Sequence, residues 1–163
     1  MPFQENKPYI FISYAHKDNG IVLPILEQLD KLNVNFWYDN GIEAGSDFVM
    51  VSHMTLVNVV KDKLPSSLSY EIVTGYLKGE LGFEGIVITD ALNMGAIAKN
   101  YANSTAAVYA IKAGVDMLLM PPAVEEAKQA ILTAVANGEI TEDRIDESVR
   151  KILKIKIEKG IIK

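Results

Sequence analysis

Short runs of consecutive apolar residues alternate along this chain with longer stretches in which apolar residues recur every three or four positions. YIFISY at 9–14 is the first such run, rich in β-branched and aromatic side chains, and the polar AHKDNG ends it. Similar runs predict strands at Val34–Tyr38, Phe48–His53, Gly85–Thr89 and Val115–Met120. Between the first two, helical periodicity over Ile21–Leu32 places Val22, Ile25, Leu26, Leu29 and Leu32 on one face, with Pro24 in the first turn. Ser69 is the expected N-cap of a second helix, whose inner face carries Ile72, Val73, Tyr76, Leu77 and Leu81 before Gly82 closes it. Further helices are predicted over Ser104–Ala113, after the pair Pro121 and Pro122, and from a Thr141 cap. The last of them is expected to pack through Ile145, Val149, Ile152, Leu153 and Lys156.

Strands alternating with helices predict an α/β fold with a mostly parallel sheet. Because the strands are continuously apolar rather than alternating, helices are expected on both sheet faces. The expectation is therefore a single domain, 1–163, built as a three-layer flavodoxin-like sandwich of about five strands in the order 2-1-3-4-5. After Asp39 only the eight residues NGIEAGSD separate strand two from strand three. Fully extended, they can just recross the sheet, a path of about 20 Å.

Composition narrows the function classes. At 163 residues the chain is too short for a complete eight-stranded barrel, which takes about 250. A net charge of −5 with scattered basic residues disfavours a nucleic-acid partner. No apolar run approaches the length of a membrane span, and MPFQENKPYIF shows no basic-then-apolar leader, so no membrane partner and a cytoplasmic location are expected. Cysteine is absent, which removes disulfides and thiolate metal sites. No glycine-rich phosphate loop follows a strand and no histidines show metal spacing, so neither cofactor nor metal is expected. Met50, Met54, Met117 and Met120 fall in or beside strands and read as core filler.

Asp90 stands out, because it ends the apolar run GIVIT at the carboxyl edge of the predicted sheet, where ligands bind in such folds. His53 ends strand three and His16 follows strand one, so either imidazole can meet Asp90 at that edge as a dyad.

Two resemblances follow from longer words. YIFISYAHKD, IVLPILEQLDKL and FWYDNGIEAGS make residues 1–47 resemble a bacterial TIR domain through its first strand, helix, second strand and loop. FVMVSHM, LPSSLSYEIVTGYLKGELGFEGIVITDALNMGAI, AIKAGVDMLLMP and ITEDRIDESVRKILKIKIEKGI make residues 48–163 resemble the C-terminal half-barrel of family-three glycoside hydrolases, bacterial β-N-acetylglucosaminidases above all. The second resemblance places the family's nucleophile on Asp90. It also implies a His and Asp pair in a KHFPGHG-like segment, and no such segment is present. With the nucleophile Asp90 retained and that pair missing, the expected function is an engineered or recombined chimeric scaffold without evolved activity. The alternatives are residual glycoside hydrolysis through Asp90, with His53 as its weaker companion, and a TIR-like interaction module. An exposed strand edge offers a route to self-association.

Overall fold

The computed structural model describes residues 10–15, 24–25, 27–28, 31, 36–42, 47–56 and 59–162. The chain divides into two compact units, Met1–Ser46 and Asp47–Lys163. In the first, β1 (Ile10–Ala15) and β2 (Phe36–Ile42) pair in parallel, with Ile10 opposite Phe36 and Ser13 opposite Asp39. Pro24, Ile25, Glu27, Gln28 and Lys31 are helical, as a parallel crossover requires.

The second unit holds three parallel strands in the order β3 (Phe48–Val51), β4 (Ile86–Ala91), β5 (Met117–Leu119). Its helices are α1 (Glu71–Glu80), α2 (Gly95–Ala98), α3 (Asn103–Ala113), α4 (Val124–Ala136) and α5 (Glu142–Glu158). Val49, Val51, Val87 and Leu118 lie on one sheet face and join a core with Val73 of α1, Ile97 of α2, and Ala106 and Ala110 of α3. A second cluster, Ile111, Ala134 and Ile140, seals α3 against α4.

Two features depart from the flavodoxin-like expectation. Among the described residues the strands pair as a two-stranded and a three-stranded sheet, which does not bear out one sheet of five in the order 2-1-3-4-5. In the second unit β3 is covered on one face, through Val49 and Val51. On the other, Phe48 and Met50 are 47% and 56% exposed, so the methionine is not core filler.

Local chemistry explains the helices. Ser69 caps α1 as expected: its hydroxyl oxygen accepts from the Ile72 N–H (3.2 Å) while its own proton goes to Asp62 Oδ2 (2.6 Å). α1 is wound as a π-helix, and the Leu81 N–H reaches the Tyr76 carbonyl five residues back (2.8 Å). Gly79 suits this winding, since a Cβ there would lie 3.1 Å from the Thr74 carbonyl oxygen. The 3.6-residue face assumed from the sequence is consequently broken up: Val73 stays buried, whereas Tyr76 and Leu81 are exposed. α3 stops at Gly114, whose φ of 108° favours glycine and whose missing Cβ leaves room for the Thr74 hydroxyl.

The polar centre of the unit is Asp116, just before β5, with its side chain wholly buried. Oδ2 accepts from the Val87 N–H (3.0 Å) and Oδ1 from the Ser148 hydroxyl (2.6 Å). Its backbone N–H donates to the Val87 carbonyl (2.8 Å), so this one residue satisfies both main-chain groups of Val87. Arg144 Nη2, Lys78 Nζ and Lys151 Nζ lie 3.3, 3.6 and 3.8 Å from the carboxylate. Glu147 completes the array, 3.3 to 3.6 Å from the same three cations. α5 therefore turns Arg144, Ser148 and Lys151 to the sheet, one turn apart. Val149 and Leu153, expected on the packed face, are exposed, because a buried carboxylate demands cationic partners more strongly than two aliphatic side chains demand cover.

Burial alone pushes the Asp116 carboxyl up, but the Ser148 hydroxyl, the Val87 N–H and the charges of Lys78 and Lys151 outweigh it and hold it below the ordinary carboxylate range. Burial likewise raises Glu147, and Lys78 and Arg144 bring it down. Lys78 is lowered, chiefly by burial, against the pull of Asp116. Replacing Asp116 by Asn leaves the cations without their buried anion, and a loss of about 3–5 kcal/mol is expected from urea unfolding at neutral pH. A carboxyl lowered in the folded state contributes its full stability above its unfolded value, about pH 4, and loses it as the pH falls through the folded value. Acid titrations of stability should therefore be steeper below about pH 4 in the native protein than in Asp116→Asn.

Candidate active site

The site residues sit at the end of the three-stranded sheet opposite Asp116. Between β4 and β5 the register runs from Ile88 opposite Met117 to Ala91 opposite Leu119, so β4 takes three steps where β5 takes two. The extra residue makes a bulge at Thr89 and Asp90, and a bulge bends its strand and re-aims its side chains. Thr89 repairs the broken ladder: fully buried, its Oγ1 accepts from the Leu119 N–H (3.0 Å). On the other side the Leu92 N–H donates to the Leu119 carbonyl (2.9 Å). Asp90 is half-buried, and its Oδ1 accepts from the N–H of Ala91 (2.7 Å). Among the described residues no hydrogen bond occupies Oδ2. One carboxylate oxygen is thus held by the backbone.

His53 lies two residues beyond β3 and is 8% exposed. Its Nδ1 is 2.7 Å from Ser67 Oγ and its Nε2 is 3.0 Å from the Ala91 carbonyl oxygen. The structure therefore brings His53 to the residue after Asp90, with both ring nitrogens engaged. His16 lies outside the described residues. Met54, Met94 and Met120 follow the ends of β3, β4 and β5 and are all exposed, so Met54 and Met120 are not the core filler expected of them. Met120 also takes the left-handed φ of 46°, a strained turn at the edge where such strain gathers around sites. No helix among the described residues is long and apolar enough to cross a membrane.

Thr89 and Ser67 are absent from the residues the sequence singles out. The signal for Thr89 is its place beside the acid: a hydroxyl next to a strand-ending carboxylate can replace a ladder acceptor. Ser67 carries no comparable signal, since PSS reads only as a chain breaker.

Known proteins resolve the class. Residues 11–155 match the glycosyl hydrolase family 3 N terminal domain, and the chain belongs to that family. It is 29% identical over 153 residues to the β-N-acetylglucosaminidase/β-glucosidase of Cellulomonas fimi, covering 84% of this chain and 27% of that protein. With the β-hexosaminidase of Stenotrophomonas maltophilia it shares 35% over 120 residues, 72% of this chain and 35% of that one. The solved family 3 β-N-acetylglucosaminidase of Paenibacillus sp. str. FPU-7 superposes with a TM-score of 0.70 at 33% identity, over 93% of this chain and 27% of that one. The chain thus spans roughly a quarter to a third of the length of these proteins.

These matches correct two expectations. The matched range takes in residues 11–47, which resemble a TIR domain, and nothing supports a separate TIR segment or a junction between two parents. Nor does the chain stand as an engineered or recombined scaffold without evolved activity, because it carries a glycosidase-family domain over most of its length.

If the bulge is held as described, Thr89→Val should lose about 1–3 kcal/mol in chemical unfolding, since it leaves the Leu119 N–H unpaired. Thr89→Ser, which keeps the hydroxyl, should recover most of that loss.

Proposed function

We propose that this chain supplies the nucleophile of a retaining β-glycosidase acting on β-N-acetylglucosaminides or β-glucosides, with Asp90 as the attacking carboxylate. The observation that carries the reading is the state of Asp90 inside a family 3 fold: at a bulge on the carboxyl end of β4, its Oδ1 is held by the Ala91 N–H and its Oδ2 is unbonded among the described residues. The name of the Cellulomonas fimi relative supports the choice of sugars.

In a double displacement, Oδ2 forms a bond to the anomeric carbon as the bond from that carbon to the leaving oxygen breaks, giving a glycosyl ester. Water then attacks the same carbon, the ester C–O bond breaks, and Asp90 returns as a carboxylate while the proton passes to solvent. The Ala91 N–H orients the carboxylate throughout by a charge-assisted hydrogen bond. Protonating a poor leaving group needs a second group, and the segment that carries it in the family resemblance is not in this sequence. Substrates whose aglycone departs without a proton should therefore react best.

The test uses 2,4-dinitrophenyl N-acetyl-β-glucosaminide and the matching β-glucoside. Release of dinitrophenolate together with a hexosyl ester on the peptide containing Asp90, found by mass spectrometry, is expected. In Asp90→Asn the rate should fall by about three orders of magnitude or more. Equal release by both proteins at high concentration, with no ester on Asp90, would overturn the reading.

A further inference from the structure

We infer that His53 is a positioning residue for Asp90, acting through the Ala91 backbone rather than on the sugar; this rests on the reading of Asp90 as nucleophile. A carbonyl oxygen only accepts, so the contact between Nε2 and the Ala91 carbonyl (3.0 Å) requires a proton on Nε2. In the neutral ring Nδ1 then accepts from the Ser67 hydroxyl (2.7 Å). The Ala91 carbonyl thus fixes the tautomer, and the fully buried Ser67 hydroxyl, with no bulk water to turn to, anchors the ring at Nδ1.

Ala91 is consequently gripped at both of its main-chain groups. Its carbonyl accepts from His53, which β3 delivers from 38 positions away, and its N–H donates to Asp90 Oδ1 (2.7 Å). The next residue, Leu92, is tied to the Leu119 carbonyl (2.9 Å). With these three bonds made, the turn after Asp90 has little freedom, and the N–H that aims the carboxylate points in one direction. A group that gives and takes protons during the reaction needs a nitrogen free to reach substrate, whereas both nitrogens of His53 are occupied inside the fold. An aliphatic side chain of similar volume fills the space but leaves the Ala91 carbonyl unheld.

The experiment compares His53→Leu, which removes the donor, with His53→Gln, whose amide reaches about as far as Nε2 and can donate to the same carbonyl. Two quantities are read: amide hydrogen exchange at Ala91 relative to Val87, and kcat and KM on the dinitrophenyl substrates. In His53→Leu, exchange at Ala91 should rise about tenfold or more with Val87 unchanged. Its kcat should fall by about ten- to a hundredfold with KM within about twofold, as expected when the attacking atom is loosened while the hold on the bound sugar is kept. His53→Gln should restore both to within about fivefold of the native protein. If His53→Leu does not fold, Ser67→Ala removes the Nδ1 anchor of the ring while leaving the imidazole in place, and should shift both readings the same way by a few-fold. Unchanged exchange at Ala91 in a folded His53→Leu or Ser67→Ala would overturn the inference whatever the turnover. A native protein that releases no dinitrophenolate would instead count against Asp90 as nucleophile, while the hold of His53 on the turn is still decided by exchange.

Discussion

A carboxylate taken wholly out of water must be answered by donors and charges, and around Asp116 that requirement organises the larger unit. It draws Lys78 from α1, Val87 from β4, and Arg144, Ser148 and Lys151 from α5 onto one point. Apolar contacts alone would orient these elements loosely, because burial is indifferent to rotation about a helix axis. Ion pairing and hydrogen bonding are directional. The consequence is visible in α5, which presents a polar stripe to the sheet and leaves Val149 and Leu153 outside. It is visible again in α1, where π winding accompanies the delivery of Lys78.

Much of the element order was legible. The three strands of the second unit, the Ser69 and Thr141 caps and the glycine after α3 follow from periodicity and cap chemistry, and the structure has them at or near the expected positions. The layer arrangement was not legible, for a physical reason. A strand in a doubly wound sheet is apolar on both faces because helices cover both. A strand in a barrel is apolar on both because helices cover one and the other strands' side chains fill the second. Phe48–Val51 and Ile86–Thr89 fit either case equally, so the flavodoxin-like reading and the barrel-type reading share one sequence pattern.

The acid at the carboxyl edge was legible, and its surroundings were not. Asp90 announces itself as a carboxylate ending an apolar run. His53 also stood out, but a sequence shows only that an imidazole is near a strand end. Whether its nitrogens face a substrate or a carbonyl depends on the Ala91 backbone and on Ser67, which come from distant stretches of chain. The bulge is similarly hidden, since register between β4 and β5 is a property of pairing. Even the most informative error, the inert chimera, came from weighing a missing segment against a retained one, while the family match extends through residues 11–155.

β4 joins the two centres: Val87 meets Asp116 near its start, and Asp90 emerges from the bulge three residues on, about 10 Å away at the strand rise. Buried charge anchors the strand at one end, and a half-buried carboxylate stands at the other. Such a division lets substitutions gather at the carboxyl edge of the sheet without spending the fold's reserve, so related chains can differ there and inherit one unchanged foundation.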